Sequence, residues 1–212
     1  QMEGLTPDFI ERAHQDYVSK HNSDKTVTKD SGPWLISLDM TSFLPFMENS
    51  KDEHLRETLY RAFVSRASSG NHDNRELLVK ILKYRQEKAR LLGFKHYAEM
   101  SLSEKMAESV GEGLTLEEEL RLPSWQAAKT ELEELKQFSV KQGKTTELRP
   151  WDMSFWSKRL QEQKFQYTDE DIKPYFSLSK VLDGLFDLVQ QLFDISVKER
   201  TSGVKTWHQD VR

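Results

Sequence analysis

Two runs of apolar residues at helical spacing, separated by one short polar break, occupy residues 50–107 and restrict the fold more than any other feature of the chain. Ser50 followed by Glu53 has the spacing of a capping box, and Leu55, Leu59, Ala62 and Phe63 then recur on one helical face. Ser68, Ser69, Gly70, Asn71 and Asp73 break the pattern. Leu77, Leu78, Ile81, Leu82, Ala89 and Leu92 resume it until Gly93 supplies a stop. The reading is two helices packed antiparallel. With only 9 Gly and 6 Pro in 212 residues, the rest of the chain has few places to turn, which favours long helices over many short strands.

The remaining segments extend this mainly α reading. Thr6 as N-cap and Pro7 at the first helical position open a helix to about Lys20. The polar stretch from His21 to Pro33 reads as a loop before Trp34 to Leu38, a candidate strand. Asp39, Thr41 and Ser42 cap a short helix around Phe43 to Met47, and His96 to Met100 and Ser103 to Ala107 read as brief helical turns. Val110 to Gly113 reads as a loop, and Thr115 with Glu118 as a second capping box. Pro123 then interrupts, with a kink there and Ser124 recapping a helix to about Gln142. Pro150 and Trp151 lead into a helix over Met153 to Phe165, and Thr168 caps the acidic turn that follows. Leu178 to Phe193 carries the most regular amphipathic pattern in the chain, a face that should be buried. Ile195 to Lys198 and Val204 to Trp207 alternate like the arms of a hairpin. The expectation is a single helical domain over residues 1–212, with a subdivision near 110–123 as the alternative.

Composition excludes several classes. A formal net charge of −4 and a pI near 5.9 lack the clustered basic excess of a nucleic-acid binder. There is no cysteine, hence no disulfide or thiolate chemistry, which fits an intracellular setting. No apolar run approaches the roughly 20 residues of a membrane span, and the segment from Gln1 to Phe9 resembles neither a signal nor a transit peptide.

Local motifs for catalysis fail one by one. No two of the six histidines have the i, i+4 spacing of a His-Glu-x-x-His helix. His54 with Glu57 and His96 with Glu99 have the i, i+3 spacing of carboxylate-bridged metal sites, but such sites need further carboxylates from other helices. A surface histidine beside a carboxylate is the simpler reading. Gly143-Lys144-Thr145 ends like a phosphate-binding loop, yet Phe138 occupies the required first glycine, so a helix stop is preferred. Gly111-Glu112-Gly113 likewise misses the dinucleotide pattern at Leu116. The basic run of Lys80, Lys83, Arg85, Lys88 and Arg90 reads as a solvated face, and the five tryptophans as core anchors before channel lining. These readings assign no catalytic, cofactor-binding or metal-ligating residue.

Beyond such generic patterns, the strings LRE..YRA..SRAS, the Asp73-Asn74 turn, LR.EKA.LLGF.HYAE in its local form and the closing KMA resemble the zinc metallopeptidases of the oligopeptidase A and thimet oligopeptidase family. The resemblance is greatest to the plant cytosolic and organellar members. It continues through GPWLISLD at 32–39 and YFSLSKVLDGLFDLVQQLFDISV at 175–197, and so covers nearly the whole chain. The resemblance implies the helical wall of a channel that admits short peptides, with short strand segments near both ends. It also implies that the zinc ligands of complete members lie beyond the position of Arg212 and that an N-terminal part precedes Gln1. On this reading the chain has no cofactor of its own and is not hydrolytic alone, acting as a structural or peptide-contacting module. Its partners would be short peptides or the missing catalytic half, in the cytosol or an organelle interior such as chloroplast or mitochondrion. Two alternatives stay open, a fragment of an active zinc metalloendopeptidase and a helical protein-interaction module.

Overall fold

The computed structural model describes residues 2–21, 28, 30, 32–199, 203, 205–208 and 211. These residues divide into two compact units, Gln1–Gln161 and Glu162–Arg212. The first contains α1 (Pro7–His21), α2 (Met40–Asn49), α3 (Glu53–Val64), α4 (Arg75–Leu91), α5 (Tyr97–Leu102) and α6 (Val110–Lys141). A 3-10 turn at Pro150–Asp152 then leads into α7 (Met153–Phe165). The second unit contains α8 (Asp169–Ile172), a 3-10 turn at Lys173–Tyr175 and α9 (Leu178–Phe193).

The best-packed core lies where α1 meets α2. Leu5, Phe9 and Ala13, four residues apart along one face, bury against Phe46, and Ile10, Trp34, Ile36, Leu55 and Leu59 pack around them. A buried side chain of this size contributes roughly 1.5–3 kcal/mol. Thr6 caps α1 as its sequence indicates, its hydroxyl accepting from the Phe9 N–H at 3.3 Å. Phe43 of α2 stacks on Phe63 of α3 with ring centroids 4.1 Å apart, which continues the apolar seam into the third helix.

Mainly helical architecture is therefore found, but the expected strand segments are not seen among the described residues. Trp34 to Leu38 forms no strand; instead the Leu35 N–H donates to the Ala13 carbonyl at 2.9 Å. Trp34 and Ile36, two residues apart, share the face that packs on the core, so burial against α1 replaces strand pairing. Near the other end, Ile195 to Lys198 forms no strand. Thr201, Ser202 and Val204 of the expected hairpin lie outside the described residues.

Several local expectations shift. Asp52 caps α3 in place of Ser50, accepting from the Leu55 N–H at 3.1 Å. The N-terminus of α6 lies before the expected capping box. Ser109 accepts from the Glu112 N–H at 3.1 Å, and the Glu112 carboxylate reaches back to the Glu108 N–H at 2.7 Å. Val110 to Gly113, expected as a loop, is thus the first turn, because Ser109 and Glu112 also have the spacing of a cap and its partner. Nor does Pro123 end the helix, since α6 continues through it to Lys141. Proline forfeits one hydrogen bond and crowds the carbonyl four residues back, but strong helix formers on both sides carry the ladder past it.

The long-range packing also differs from expectation. The neighbour of α4 is α5, and α4 does not lie closely along α3. Ala67 at φ +54° and Gly70 at φ +65° redirect the chain between them, and most of the α4 face stays open. The amphipathic face of α9 is open as well, with Leu178, Leu192 and Phe193 more than half exposed.

Candidate functional site

Among the described residues, the most enclosed charges meet where the end of α6 and the start of α7 lie against α3. Arg56 occupies the stripe of α3 that also carries Leu59, Tyr60 and Phe63, and it is buried there. Its guanidinium donates from Nη2 to Asp152 Oδ1 at 2.7 Å, from Nη1 to the Ser50 carbonyl at 2.7 Å and from Nε to the Trp151 carbonyl at 3.2 Å. Asp152 is 0% exposed. Its second oxygen accepts from Lys144 Nζ at 3.0 Å and from the Arg149 N–H at 3.0 Å. Lys144 in turn reaches Glu53 at 3.1 Å.

Local sequence sets up each participant. Gly143 ends α6 at φ +92°, with the Gly143 N–H on the Val140 carbonyl and the Lys144 N–H on the Ser139 carbonyl, both at 3.0 Å. This is the helix stop preferred from sequence, and it turns Lys144 inward. Pro150 starts the 3-10 turn that carries Asp152 under Arg56. An aromatic ring completes the corner, since Phe155 lies between two guanidinium groups, Arg56 at 4.4 Å and Arg159 at 4.3 Å from its centroid.

Burial alone would push the Asp152 carboxyl up. The hydrogen bonds from the Arg149 N–H, Arg56 and Lys144 outweigh that and hold it below the ordinary aspartate value. The group is therefore ionised and saturated near neutrality, which suits a tie between helices and not a proton carrier. Beside it opens a groove of about 320 Å³, lined by Lys51, Glu53, Lys144, Thr145, Phe155 and Trp156 among others. Its ionic side chains are engaged, Lys51 with Glu3 at 2.9 Å and Glu53 with Lys144. Ser50 Oγ and the indole N–H groups of Trp151 and Trp156 are buried nearby without hydrogen-bond partners.

The residues weighed from sequence are not brought together. Glu57 accepts from Arg61 at 2.8 Å on the exposed side of α3. His96 caps α5, its Nδ1 accepting from the Glu99 N–H at 3.3 Å while Glu99 accepts from the Lys95 N–H at 2.8 Å. Both i, i+3 pairs thus serve helices, and among the described residues no group of three or more His, Asp and Glu is arranged to hold a metal ion. Of the tryptophans, Trp34, Trp151 and Trp156 are half-buried, whereas Trp125 and Trp207 are exposed. Sequence reasoning missed the Arg56–Asp152–Lys144 cluster. The available signal was an arginine on the apolar stripe of α3, since a buried cation requires a buried carboxylate.

Among the described residues, the architecture is a helical array whose enclosed charges join helices. The chain belongs to peptidase family M3, whose family model matches residues 46–212. It is 46% identical over its full length to the probable cytosolic oligopeptidase A of Arabidopsis thaliana, and 44% identical to the organellar, chloroplastic and mitochondrial oligopeptidase A of the same plant. Against oligopeptidase A of Haemophilus influenzae the identity is 40% over 84% of the chain. The chain spans only 27% to 30% of the length of these relatives. Among the described residues no helix is long and apolar enough to cross a membrane.

Proposed function

We propose that this chain is a helical module of an oligopeptidase A-like protein that does not hydrolyse peptides by itself and serves as a structural or peptide-contacting wall. The carrying observation is the commitment of its enclosed ionic groups to tying α3, α6 and α7 together. A saturated network supports shape and leaves no side chain of that network poised for acid–base work. The relatives' names support placement in the cytosol or an organelle interior. The zinc chemistry of the family would be supplied by residues outside those described. The test is incubation of the purified chain with internally quenched oligopeptides and added zinc, followed by heteronuclear NMR titration with the same peptides. The expected result is no chelator-sensitive cleavage, with peptide-induced shifts along the helices. Efficient cleavage abolished by a chelator would overturn the reading.

The share of relatives' length that the chain covers favours a second reading, in which it works as one part of a complete zinc metalloendopeptidase acting on short peptides. Coexpression with the remaining portion of a relative should then yield peptidase activity that neither part has alone. Failure of a properly folded mixture to cleave would count against it.

A further inference from the structure

With no cysteine in the chain, its sulfur is confined to six methionines, Met2, Met40, Met47, Met100, Met106 and Met153. Their surroundings differ widely. Met47 of α2 lies in the core at 2% exposed. Met2, Met100 and Met153 are half-buried, with Met2 packed against the α1 core. Met40, at the start of α2, is 56% exposed, whereas Met106 is 99% exposed. Both ends of the turn that carries Met106 are tied. At the end of α5 the Ser103 N–H donates to the Glu99 carbonyl at 3.1 Å, followed by the Lys105 N–H on the Leu102 carbonyl at 2.9 Å. At the start of α6 the Ser109 hydroxyl accepts from the Glu112 N–H at 3.1 Å. Between these caps the Met106 thioether stands in solvent.

We propose that Met106 is a modification site, where peroxide oxidises the folded chain first and in a form that can be reversed. The thioether sulfur attacks one oxygen of hydrogen peroxide and the O–O bond breaks. Sulfur gives up two electrons and keeps that oxygen as the sulfoxide, and the other oxygen leaves as water. Attack needs open approach to the sulfur, so exposure sets the order among side chains of one chemistry. Met47 reacts only in molecules that have opened locally. A sulfoxide is polar and disrupts a core, but at Met106 it points into water and leaves the packing intact. The same exposure admits the two epimer-specific sulfoxide reductases. Each returns two electrons from a pair of thiols, which become a disulfide, and releases the oxygen as water.

Hydrogen peroxide added to the purified chain, with samples quenched over time and mapped by peptide mass spectrometry, tests the proposal. The Met106 peptide should gain one oxygen first and the Met40 peptide next. Met47 should be slower than Met106 by more than about tenfold, because its reaction waits on opening. In denaturing urea the six should react at similar rates. Met106→Leu should lose the fastest phase. The singly oxidised chain should keep the urea midpoint of the parent, and both reductases with a dithiol should restore its mass. Oxidation of Met47, Met100 or Met153 ahead of Met106 would overturn the proposal. So would a fastest phase that survives in Met106→Leu, an order of reaction unchanged by urea, a lowered midpoint, or a sulfoxide that the reductases leave in place.

Discussion

Replacing Asp152 with asparagine keeps the volume of the side chain and removes its charge from a site with no solvent to compensate. The carboxylate accepts three hydrogen bonds, from Arg56 at 2.7 Å, Lys144 at 3.0 Å and the Arg149 N–H at 3.0 Å. An amide oxygen can keep Arg56, but the NH2 group then confronts two donors. Arg56, with its side chain only 3% exposed, is left as a buried cation without a counter-charge. Loss of two charge-assisted bonds at about 1.5–3 kcal/mol each agrees with the roughly 3–5 kcal/mol of breaking one partner from a buried pair. For an m-value of about 2 kcal/mol/M, this lowers the urea midpoint by about 1.5–2.5 M. Trp151 and Trp156 adjoin the site, so intrinsic fluorescence reports the transition. A midpoint shift under about 0.5 M, or about 1 kcal/mol, would refute the reasoning. The double replacement Arg56→Met with Asp152→Leu should cost less than Asp152→Asn alone, because it leaves no orphaned charge.

Acid should act through the same group. The folded carboxyl is held below its unfolded value, so its stabilisation is complete above the unfolded pKa, about 3.9, and is lost as pH falls through the folded value. Between pH 5 and pH 3 the parent chain should lose more stability than Asp152→Asn, as measured by urea midpoints at each pH. Pro123→Ala should stabilise α6 by up to about 3 kcal/mol, since the helix already runs through this position and alanine restores the missing donor; circular dichroism at 222 nm on heating checks it. Ser109→Ala removes the cap on Glu112 and should cost about 1 kcal/mol in the same melts. Phe46→Ala opens the core at a side chain 4% exposed and should cost about 3–5 kcal/mol.

Helices were legible in the sequence wherever local chemistry decides them. Thr6 with Pro7 fixed the start of α1, Pro150 and Trp151 that of α7, and the apolar period at residues 178–193 gave both ends of α9. Thr115 with Glu118 was read as the cap of α6, but Ser109 with Glu112 has the same spacing and caps it in the structure, so spacing alone does not choose between them. Pro123 misled because propensity in its flanks outweighs one lost bond. The lone extended run at Trp34 was misread as a strand since periodicity does not distinguish pairing with a strand from packing on a helix. The charge cluster was the hardest to foresee, because nothing near Arg56 in the chain indicates that its partner is Asp152.

The distance between those two residues along the chain has a consequence for synthesis. Arg56 and Asp152 are 96 positions apart, and closing a loop of that length costs about 4 kcal/mol of chain entropy. A ribosome adding about 5–20 residues per second takes about 5–20 s to get from one to the other. During that interval α3 has its arginine but no counter-charge, and burying the guanidinium against it would be unfavourable. The nascent helix therefore holds that side toward water, and the corner can close only after α4, α5 and α6 have been made and have shortened the path by folding locally. Limited proteolysis of ribosome-bound chains ending before and after the Asp152 codon would register the change as late protection of α3.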